Sequence, residues 1–239
     1  MVLEGKTAII TGASAGLGRD FSKALIEKGA TVFGLARRLE KLEELADRLG
    51  PNFRGIECDV SDEEQVGNAF ESISSQSDRL DVLVNNAGLG RFGLLEDLSV
   101  EDWDVQMATN LRGVFLCTKA VLPAMKNHNK ETGFGGHIVN ICSVAGLVGN
   151  PQISAYNATK FGLKGFSEAL MKEVRDEGIK VSCLYPGSIQ TDFFETAGVD
   201  ISSYAMTPED VTSSLIHVLE TSDNYLVSEV AMRPLRVNG

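Results

Sequence analysis

Short, nearly continuous apolar runs alternate with segments of helical periodicity from one end of the chain to the other. These runs predict seven strands, at 7–10, 31–35, 53–57, 80–84, 137–142, 180–185 and 225–232. Strands of this kind are usually buried on both faces, so the pattern favours a parallel sheet with helices on both sides. No linker, repeat or low-complexity segment divides the chain, which predicts one doubly wound α/β domain over 1–239.

Capping signals predict where several helices begin and end. Gly29 is expected to end the helix that follows the first strand. Ser61-Asp62-Glu63-Glu64 has the spacing of a capping box and predicts a helix that begins at Ser61. A long helix is expected from about 99 to 125. Thr207-Pro208 predicts a further helix start, with proline in the first turn.

Composition narrows the class of protein. A length of 239 residues with 43% hydrophobic side chains suits one globular domain. The net charge of −11 disfavours binding to nucleic acid or to an anionic membrane. The four cysteines form no Cys-x-x-Cys pair and the three histidines lack metal-ligand spacing, so no metal site is expected. With no secretory pattern and no apolar run long enough to span a bilayer, a cytoplasmic protein is expected.

A glycine-rich turn follows the first strand. Gly12, Gly16 and Gly18 are spaced as Gly-x-x-x-Gly-x-Gly and open the first helix, with Ser14 and Leu17 between them. Glycine permits a tight turn and close approach of backbone to a pyrophosphate, whose charge is stabilised at a helix N-terminus. The turn therefore predicts a dinucleotide site, although an ordinary strand-to-helix turn has a similar composition.

The end of the second strand predicts which dinucleotide is preferred. An acidic residue there holds the 2′-hydroxyl of NAD, but this chain has Arg37 and Arg38. Charge-assisted bonds from Arg37 to a 2′-phosphate are worth about 1.5–3 kcal/mol, or roughly 10- to 150-fold in affinity. NADP(H) is therefore favoured over NAD(H); the alternative is two solvated arginines at the start of a charged helix.

Two further strand ends carry candidate cofactor residues. Asp59, followed by Val60, is placed to accept a hydrogen bond from the adenine amino group, or else it caps a local turn. The segment from Asn86 through Ala87 to Gly88 ends the fourth strand. Its small residues allow close approach of a cofactor, while asparagine side chains tie strand ends together.

Tyr156 and Lys160 lie four residues apart, so a helix presents them on one face. A nearby cation favours the phenolate form of a tyrosine and suits it to acid–base work. Ser143, thirteen residues before Tyr156 in the sequence, ends an apolar run and is placed to hydrogen-bond a carbonyl oxygen. By itself the Tyr–Lys spacing is also compatible with a chance surface pair; the preceding glycine turn favours the catalytic interpretation.

Taken in order, these motifs resemble those of the short-chain dehydrogenases/reductases. The matching residues are Thr11-Gly12-x3-Gly16-x-Gly18, Asp59, Asn85-Asn86-Ala87-Gly88, Asn110, Ser143, Tyr156-x3-Lys160 and Pro186-Gly187-x3-Thr191. The resemblance extends from about residue 6 to 232. It implies a Rossmann-like fold, hydride transfer between nicotinamide and a carbonyl or hydroxyl carbon, and a homodimer or homotetramer.

The resemblance also implies a role for each residue. Tyr156 is the general acid in reduction and the base in oxidation, Lys160 binds the nicotinamide ribose, and Ser143 polarises the carbonyl. Asn110 holds a water that links Lys160 to solvent. Residues expected beside the nicotinamide are Pro186, Gly187, Ile189 and Thr191.

The expected function is an NADP(H)-dependent carbonyl reductase or alcohol dehydrogenase with a small-molecule substrate. Three alternatives are a 3-oxoacyl-carrier-protein reductase, a non-catalytic dinucleotide sensor or scaffold, and a sugar epimerase, which the short C-terminal part disfavours. The ending 225–234 is more similar to the branch of 3-hydroxy acid and serine dehydrogenases. A substrate loop is expected at about 187–206. An apolar pocket, or ordinary core, is expected from Val144, Leu147, Ile153, Phe193 and Phe194.

Overall fold

The sheet is parallel throughout and runs in the order β3-β2-β1-β4-β5-β6-β7. The computed structural model describes residues 1–193, 197 and 203–236. Within these residues the strands are β1 Thr7–Thr11, β2 Thr31–Ala36, β3 Phe53–Glu57, β4 Val82–Asn85, β5 Gly136–Ile141, β6 Ile179–Pro186 and β7 Glu229–Met232. Strand order reverses between β1 and β4, and ligands of such sheets bind at the carboxyl ends near this switch point.

Helices cover both faces of the sheet, as the apolar runs predicted. They are α1 Gly16–Glu27, α2 Leu39–Leu49, α3 Glu63–Ser74, α4 Val100–Met107, α5 Gly113–Thr132, α6 Ser154–Val174 and α7 Pro208–Leu219. Successive residues of β1 belong to different core layers: Ile10 packs with α1, α2 and α7, and Ile9 packs with α3, α5 and α6. The prediction of a doubly wound, Rossmann-like fold is confirmed. In the described residues, no helix combines the length and apolarity that crossing a membrane requires.

Helix α3 begins one residue later than the capping-box pattern predicted. Its N-cap is Asp62, whose side chain accepts hydrogen bonds from the backbone of Glu64 and Gln65. The hydroxyl of Ser61 instead donates to Asp59 at 2.7 Å. The predicted Ser61 cap is therefore wrong, because a carboxylate next to it takes the capping position. Thr207 does cap α7, with Asp210 completing a capping box, as the Thr207-Pro208 pair predicted.

The long helix predicted at 99–125 is interrupted. A π-helical turn, Ala108–Arg112, separates α4 from α5, and α5 continues to Thr132. Asn110 lies in this turn and its side chain is bonded to residues outside the helix. Such turns are frequent at functional sites because they redirect a side chain within a continuous helix.

The last strand is shorter than predicted and begins at Glu229 rather than at 225. Ahead of Ser228, whose carbonyl accepts from the backbone N–H of Cys183, side chains of β6 bond to the segment. The Lys180 ammonium donates to the carbonyl of Tyr225 at 2.8 Å, and the Ser182 hydroxyl donates to that of Val227 at 2.6 Å. Only part of the predicted loop 187–206 lies among the described residues. There, Ile189 and Met206 form a parallel bridge.

Candidate active site

One cavity of about 740 Å³ lies at the carboxyl ends of the strands. Most of the residues predicted to bind cofactor or to act in catalysis line it: Gly12, Ser14, Gly16, Leu17, Arg37, Arg38, Asp59, Val60, Asn86, Ala87, Gly88, Ser143, Tyr156, Lys160, Pro186, Gly187, Ile189 and Thr191. Gly18 and Asn110 lie behind the lining. The sheet topology thus brings segments that are far apart in sequence to one site.

The glycine turn packs so closely that side chains are excluded at two of its positions. A Cβ on Gly12, which has φ of +68°, would lie 2.9 Å from Cα of Ala87. A Cβ on Gly18 would lie 2.2 Å from the carbonyl oxygen of Gly12. No side chain caps the N-terminus of α1 at Ala15, and its first turn contains no acidic residue. The backbone N–H groups and the positive end of the helix dipole at this turn can therefore stabilise an anion.

Asparagine and threonine side chains tie the ends of β1, β4 and β5 together. Thr11 Oγ1 accepts hydrogen bonds from the backbone N–H groups of Asn86 and Ala87, both at 3.0 Å. Nδ2 of Asn86 donates to the carbonyl of Thr11 at 2.9 Å. Nδ2 of Asn85 donates to Oδ1 of Asn140 at 2.8 Å. These bonds supply the structural part of the role predicted for this segment and hold the floor of the cavity in place.

Arg37 and Arg38 are exposed and line the cavity just beyond the end of β2. The guanidinium of Arg38 donates to Oγ of Ser14 at 3.3 Å. Two cations and a hydroxyl are thus grouped where β2 meets the glycine turn. This grouping suits a phosphate ester, because arginine offers several donors in a planar fork.

Asp59 both lines the cavity and stabilises a local turn. Its Oδ1 accepts from the backbone and the hydroxyl of Ser61, at 2.9 and 2.7 Å. Val60, which follows it, is 6% exposed and packs against Gly113 at the start of α5, where a Cβ would lie 2.8 Å from Val60 Cγ2. The turn-stabilising alternative for Asp59 is therefore seen in the structure, and a contact with adenine stays a prediction.

Tyr156 and Lys160 lie on the face of α6 that is turned to the cavity. Both are buried, with 8% and 5% of their surfaces exposed. Nζ of Lys160 donates to the carbonyl of Ile141 at 2.9 Å and lies 5.5 Å from the centroid of the Tyr156 ring. The fold therefore holds a cation next to the ring that carries the predicted proton donor.

Ser143 follows β5 and caps a short 3-10 turn, Val144–Gly146. Its Oγ accepts from the backbone N–H of Ala145 at 3.1 Å. That bond uses one lone pair of the oxygen, and the hydroxyl proton can be donated to a substrate oxygen. The 3-10 turn thereby orients the hydroxyl at the wall of the cavity.

Asn110 connects the loop after β4 to α6. Its side chain accepts from the backbone N–H of Leu89 at 2.8 Å and donates to the carbonyl of Leu89 at 2.8 Å and to Oγ1 of Thr159 at 3.2 Å. The residue is 1% exposed. The Asn110 side chain thus joins the loop after β4 to α6, and its role in holding a water stays a prediction.

Two residues at the site were missed by sequence reasoning. Asn157 donates from Nδ2 to the carbonyls of Ala145 and Val148, at 2.6 and 2.9 Å, and accepts from the backbone N–H of Asn150 at 3.0 Å. It therefore holds the loop that follows Ser143. Its position between Tyr156 and Lys160 was the available signal.

Phe92 is the second missed residue. Its ring lies edge-on to Tyr156, with centroids 5.5 Å apart, and contacts Phe193 at 6.3 Å. It belongs to a segment without helical or strand periodicity, so no pattern in the sequence indicated it. Of the apolar residues predicted for a pocket, Val144, Ile153 and Phe193 line the cavity.

The other two apolar candidates have different outcomes. Leu147 packs against the core cluster around Val114 and Leu163 and does not line the cavity, so its alternative assignment to the core is the one that holds. Phe194 lies outside the described residues.

Cys142 lines the cavity beside Ser143. Its hydrogen bond with Cys183 and its burial raise the pKa of the Cys142 thiol far above the ordinary range. Its Sγ donates to the carbonyl of Lys160 at 3.3 Å. Because the thiolate is the reactive form of cysteine, a raised pKa disfavours Cys142 as a nucleophile. The described residues contain no group of three or more His, Cys, Asp or Glu side chains placed to hold a metal ion.

The known proteins that this chain resembles are dehydrogenases and reductases. A family model described as short chain dehydrogenase matches residues 6–201. A 3-oxoacyl-(acyl-carrier-protein) reductase of Vibrio harveyi is 32% identical over 248 aligned residues, which cover 100% of this chain and 98% of the relative.

Solved structures agree along nearly the whole chain. A serine dehydrogenase complexed with NADP+ has a TM-score of 0.86 and 31% identity, and the match covers 95% of this chain and 94% of the other. A 3-ketoacyl-(acyl-carrier-protein) reductase from Brucella melitensis, complexed with NADH, has a TM-score of 0.91 and 27% identity, with coverage of 98% and 99%.

Proposed function

Because the chain belongs to the short-chain dehydrogenase/reductase family of oxidoreductases, we propose that it is an NADP(H)-dependent carbonyl reductase, reversible as an alcohol dehydrogenase. The observation that carries this proposal is the presence of Ser143, Tyr156 and Lys160 in the same cavity as the glycine turn. A proton donor, a carbonyl-polarising hydroxyl and a dinucleotide site in one cavity suit the reversible interconversion of a carbonyl and an alcohol.

The cavity fits a dinucleotide on three counts. Gly12 and Gly18 pack too closely for a side chain, so the glycine turn presents its backbone to a pyrophosphate. The N-terminus of α1 lacks a side-chain cap and so can receive the pyrophosphate charge. Gly187 and Thr191 line the same cavity, and Thr191 faces the glycine turn, with its Cβ 3.7 Å from where a Cβ of Gly16 would be.

When bound, NADPH supplies the hydride for the carbonyl carbon. The phenol of Tyr156 gives its proton to the carbonyl oxygen as that oxygen gains charge, and takes a proton from the alcohol in the reverse direction. The hydroxyl of Ser143 donates a hydrogen bond to the same oxygen and stabilises its developing charge. Lys160 binds the nicotinamide ribose and stabilises the phenolate.

Preference for NADPH over NADH is assigned to Arg37, with Arg38 and Ser14 in support. The two guanidinium groups are exposed and can turn toward a 2′-phosphate. The bond between Arg38 and Ser14 already places a donor at the edge of the glycine turn. The serine dehydrogenase, whose structure contains NADP+, supports this preference. The Brucella melitensis reductase was solved with NADH, so the related structures do not all contain the same cofactor.

Calorimetric titration of the purified protein with NADPH and with NADH tests the proposal, together with NADPH oxidation over a panel of aldehydes, ketones and 3-oxo thioesters. Tight NADPH binding with turnover is expected. Tight binding without turnover of any carbonyl compound would favour the sensor or scaffold alternative. Binding of neither cofactor would contradict the dinucleotide site itself.

A second candidate, 3-oxoacyl-carrier-protein reduction, is favoured by the full-length match to the Vibrio harveyi enzyme. The two candidates differ in the size of the substrate rather than in chemistry. To distinguish them, kcat/KM is measured for a 3-oxoacyl group attached to its carrier protein and for the same acyl group attached to a short thiol. A kcat/KM that is much higher with the carrier protein would assign the chain to this second function.

A further inference from the structure

We propose that the substrate end of the cavity selects an uncharged carbonyl compound with an apolar or aromatic group next to the reacting carbon, and excludes free carboxylates. This inference rests on the proposed function, because it assumes that the substrate meets Ser143 and Tyr156. The substrate end is defined as the part of the lining around these two residues: Phe92, Val144, Asn150, Gln152, Ile153 and Phe193.

An aromatic wall stands beside the proton donor. The rings of Phe92 and Phe193 contact Tyr156, with centroids 5.5 and 5.8 Å from it, and contact each other at 6.3 Å. The Phe92 ring also packs against Gly90, where a Cβ would lie 2.5 Å from the ring. A substrate that reaches Tyr156 therefore lies against an apolar surface, which rewards an apolar substituent.

The cations of the cavity already have partners in the proposed function. In the lining that the structure describes, the positive side chains are Arg37, Arg38 and Lys160. The two arginines lie at the end of β2. Lys160 lies beside Tyr156, where it donates to the carbonyl of Ile141 and, under the proposed function, binds the nicotinamide ribose. Arg91, which is near in sequence to Phe92, pairs with Asp102 at 3.4 Å and does not line the cavity.

The described part of the segment after β6 adds no positive charge either. Its residues, 187–193, 197 and 203–206, contain no Lys, Arg or His, and Asp192, which lines the cavity, is acidic. A carboxylate bound near Tyr156 would therefore lose water without gaining a cationic partner from these residues. Burying an unpaired charge in this way is unfavourable.

Two neutral amides, Asn150 and Gln152, line the substrate end, and the acidic Asp192 lines the cavity next to Phe193. Gln152 has a φ of +65°, and its carbonyl accepts a hydrogen bond from the backbone N–H of Gly93 at 2.7 Å. In the described residues it is the one non-glycine residue with positive φ. Left-handed backbone at a non-glycine residue is uncommon and concentrates at functional sites. We assign Gln152 as a specificity residue, which with Asn150 offers hydrogen bonds to a neutral polar substituent.

Paired ligands that differ only in charge test this inference. Binding of benzamide and of benzoate to the protein loaded with NADPH, whose dihydronicotinamide ring is neutral, is measured by calorimetry, and kcat/KM is measured for benzaldehyde and for 4-carboxybenzaldehyde. The neutral member is expected to be favoured by roughly 10- to 100-fold in both assays, since a desolvated unpaired charge costs on that order. Equal or better binding of benzoate, or binding of neither ligand, would overturn the inference.

A charge-adding variant gives the reciprocal test. Gln152→Arg, which places a cation at the substrate end, is expected to narrow the preference for benzamide over benzoate by about tenfold, whereas Asn68→Arg on α3 adds the same charge at an exposed site and should not. An unchanged preference in Gln152→Arg would remove Gln152 from the specificity assignment.

The binding assay separates this inference from the proposed function. Selective binding of benzamide without turnover of any carbonyl compound would support the inference and contradict the reductase. Turnover of both aldehydes with a higher kcat/KM for 4-carboxybenzaldehyde would support the reductase and contradict the inference.

Discussion

The ammonium nitrogen of Lys160 lies 5.5 Å from the centre of the Tyr156 ring, and the carbonyl at the end of β5 fixes it there through a 2.9 Å hydrogen bond. The helix sets the spacing of the two side chains, and the strand end sets the position of the charge. Because Lys160 is 5% exposed, its charge acts on the phenol through little intervening water. The positions of both side chains are therefore set by contacts within the chain itself.

Replacement of Tyr156 by phenylalanine removes the proposed proton donor and preserves the ring packing against Phe92 and Phe193. We expect kcat to fall by about 10²- to 10⁴-fold, the usual contribution of a general acid, with NADPH affinity largely unchanged. Steady-state kinetics and calorimetry measure the two effects. Tyr185→Phe is the matched control, since Tyr185 is buried, bonds to Glu229 and does not line the cavity. Activity retained in Tyr156→Phe would rule out its role.

Replacement of Arg37 by alanine tests the cofactor preference. NADPH affinity is expected to fall by roughly 10- to 150-fold, because charge-assisted bonds to the 2′-phosphate are lost, while NADH affinity changes little. Titration of both cofactors measures the difference. Arg48→Ala, an exposed position in the last turn of α2, controls for loss of surface charge. Equal losses for both cofactors would remove the phosphate assignment from Arg37.

Asn157 is expected to position the loop that carries Ser143 rather than to touch substrate. Asn157→Ala leaves two carbonyls and one backbone N–H without their partner, at a cost of about 2–4 kcal/mol in the free energy of unfolding. Urea denaturation measures it, with the exposed helical Asn68→Ala as control. A loss below about 0.5 kcal/mol, the range of ordinary surface substitutions, would show that these bonds do not hold the loop.

Stability is expected to fall in mild acid because of His137. Burial and the nearby Lys180 lower the pKa of His137 to about 3 in the folded protein. Its Nε2 lies 2.7 Å from Oγ of Ser182, and Nδ1 has no partner among the described residues. Below the unfolded-state pKa of about 6.5, the unfolded chain therefore binds a proton that the folded protein does not.

The contribution of His137 to the free energy of unfolding should therefore decrease by about 1.4 kcal/mol for each pH unit below about 6.5, down to a pH near 3. Urea unfolding at a series of pH values measures this slope. His137→Gln removes this titrating group, so the free energy of unfolding should fall less steeply with decreasing pH, by about 1.4 kcal/mol per pH unit. The same substitution at exposed His217 should leave the slope unchanged. An identical slope in wild type and His137→Gln would show that His137 is protonated in the fold.

The fold and most of the lining of the cavity were predictable because they depend on local pattern and on residue types with narrow uses. Apolar runs marked the strands, and Gly12 and Gly18 occupy positions that tolerate no Cβ. Since parallel strands all end at one edge, motifs that follow them had to meet there.

What could not be predicted depends on tertiary contacts. The π-helical turn around Asn110 forms where its side chain bonds to Leu89 and Thr159, which no periodicity reports. The segment before β7 is bonded by the side chains of Lys180 and Ser182, tertiary contacts that no pattern in the sequence indicates. Phe92 contacts Tyr156 from a loop, and its segment has no helical or strand periodicity from which this contact could be predicted.

The central claim is that this chain transfers hydride from NADPH to a carbonyl carbon while Tyr156 supplies the proton. Its most direct test uses NADPH deuterated at C4, each diastereomer separately, with a panel of carbonyl compounds and mass spectrometry of the alcohols formed. We predict deuterium on the former carbonyl carbon from one diastereomer, and formation of the deuterated alcohol at a rate about 10²- to 10⁴-fold lower with Tyr156→Phe. Tight binding of NADPH with no deuterium in any product would contradict the account.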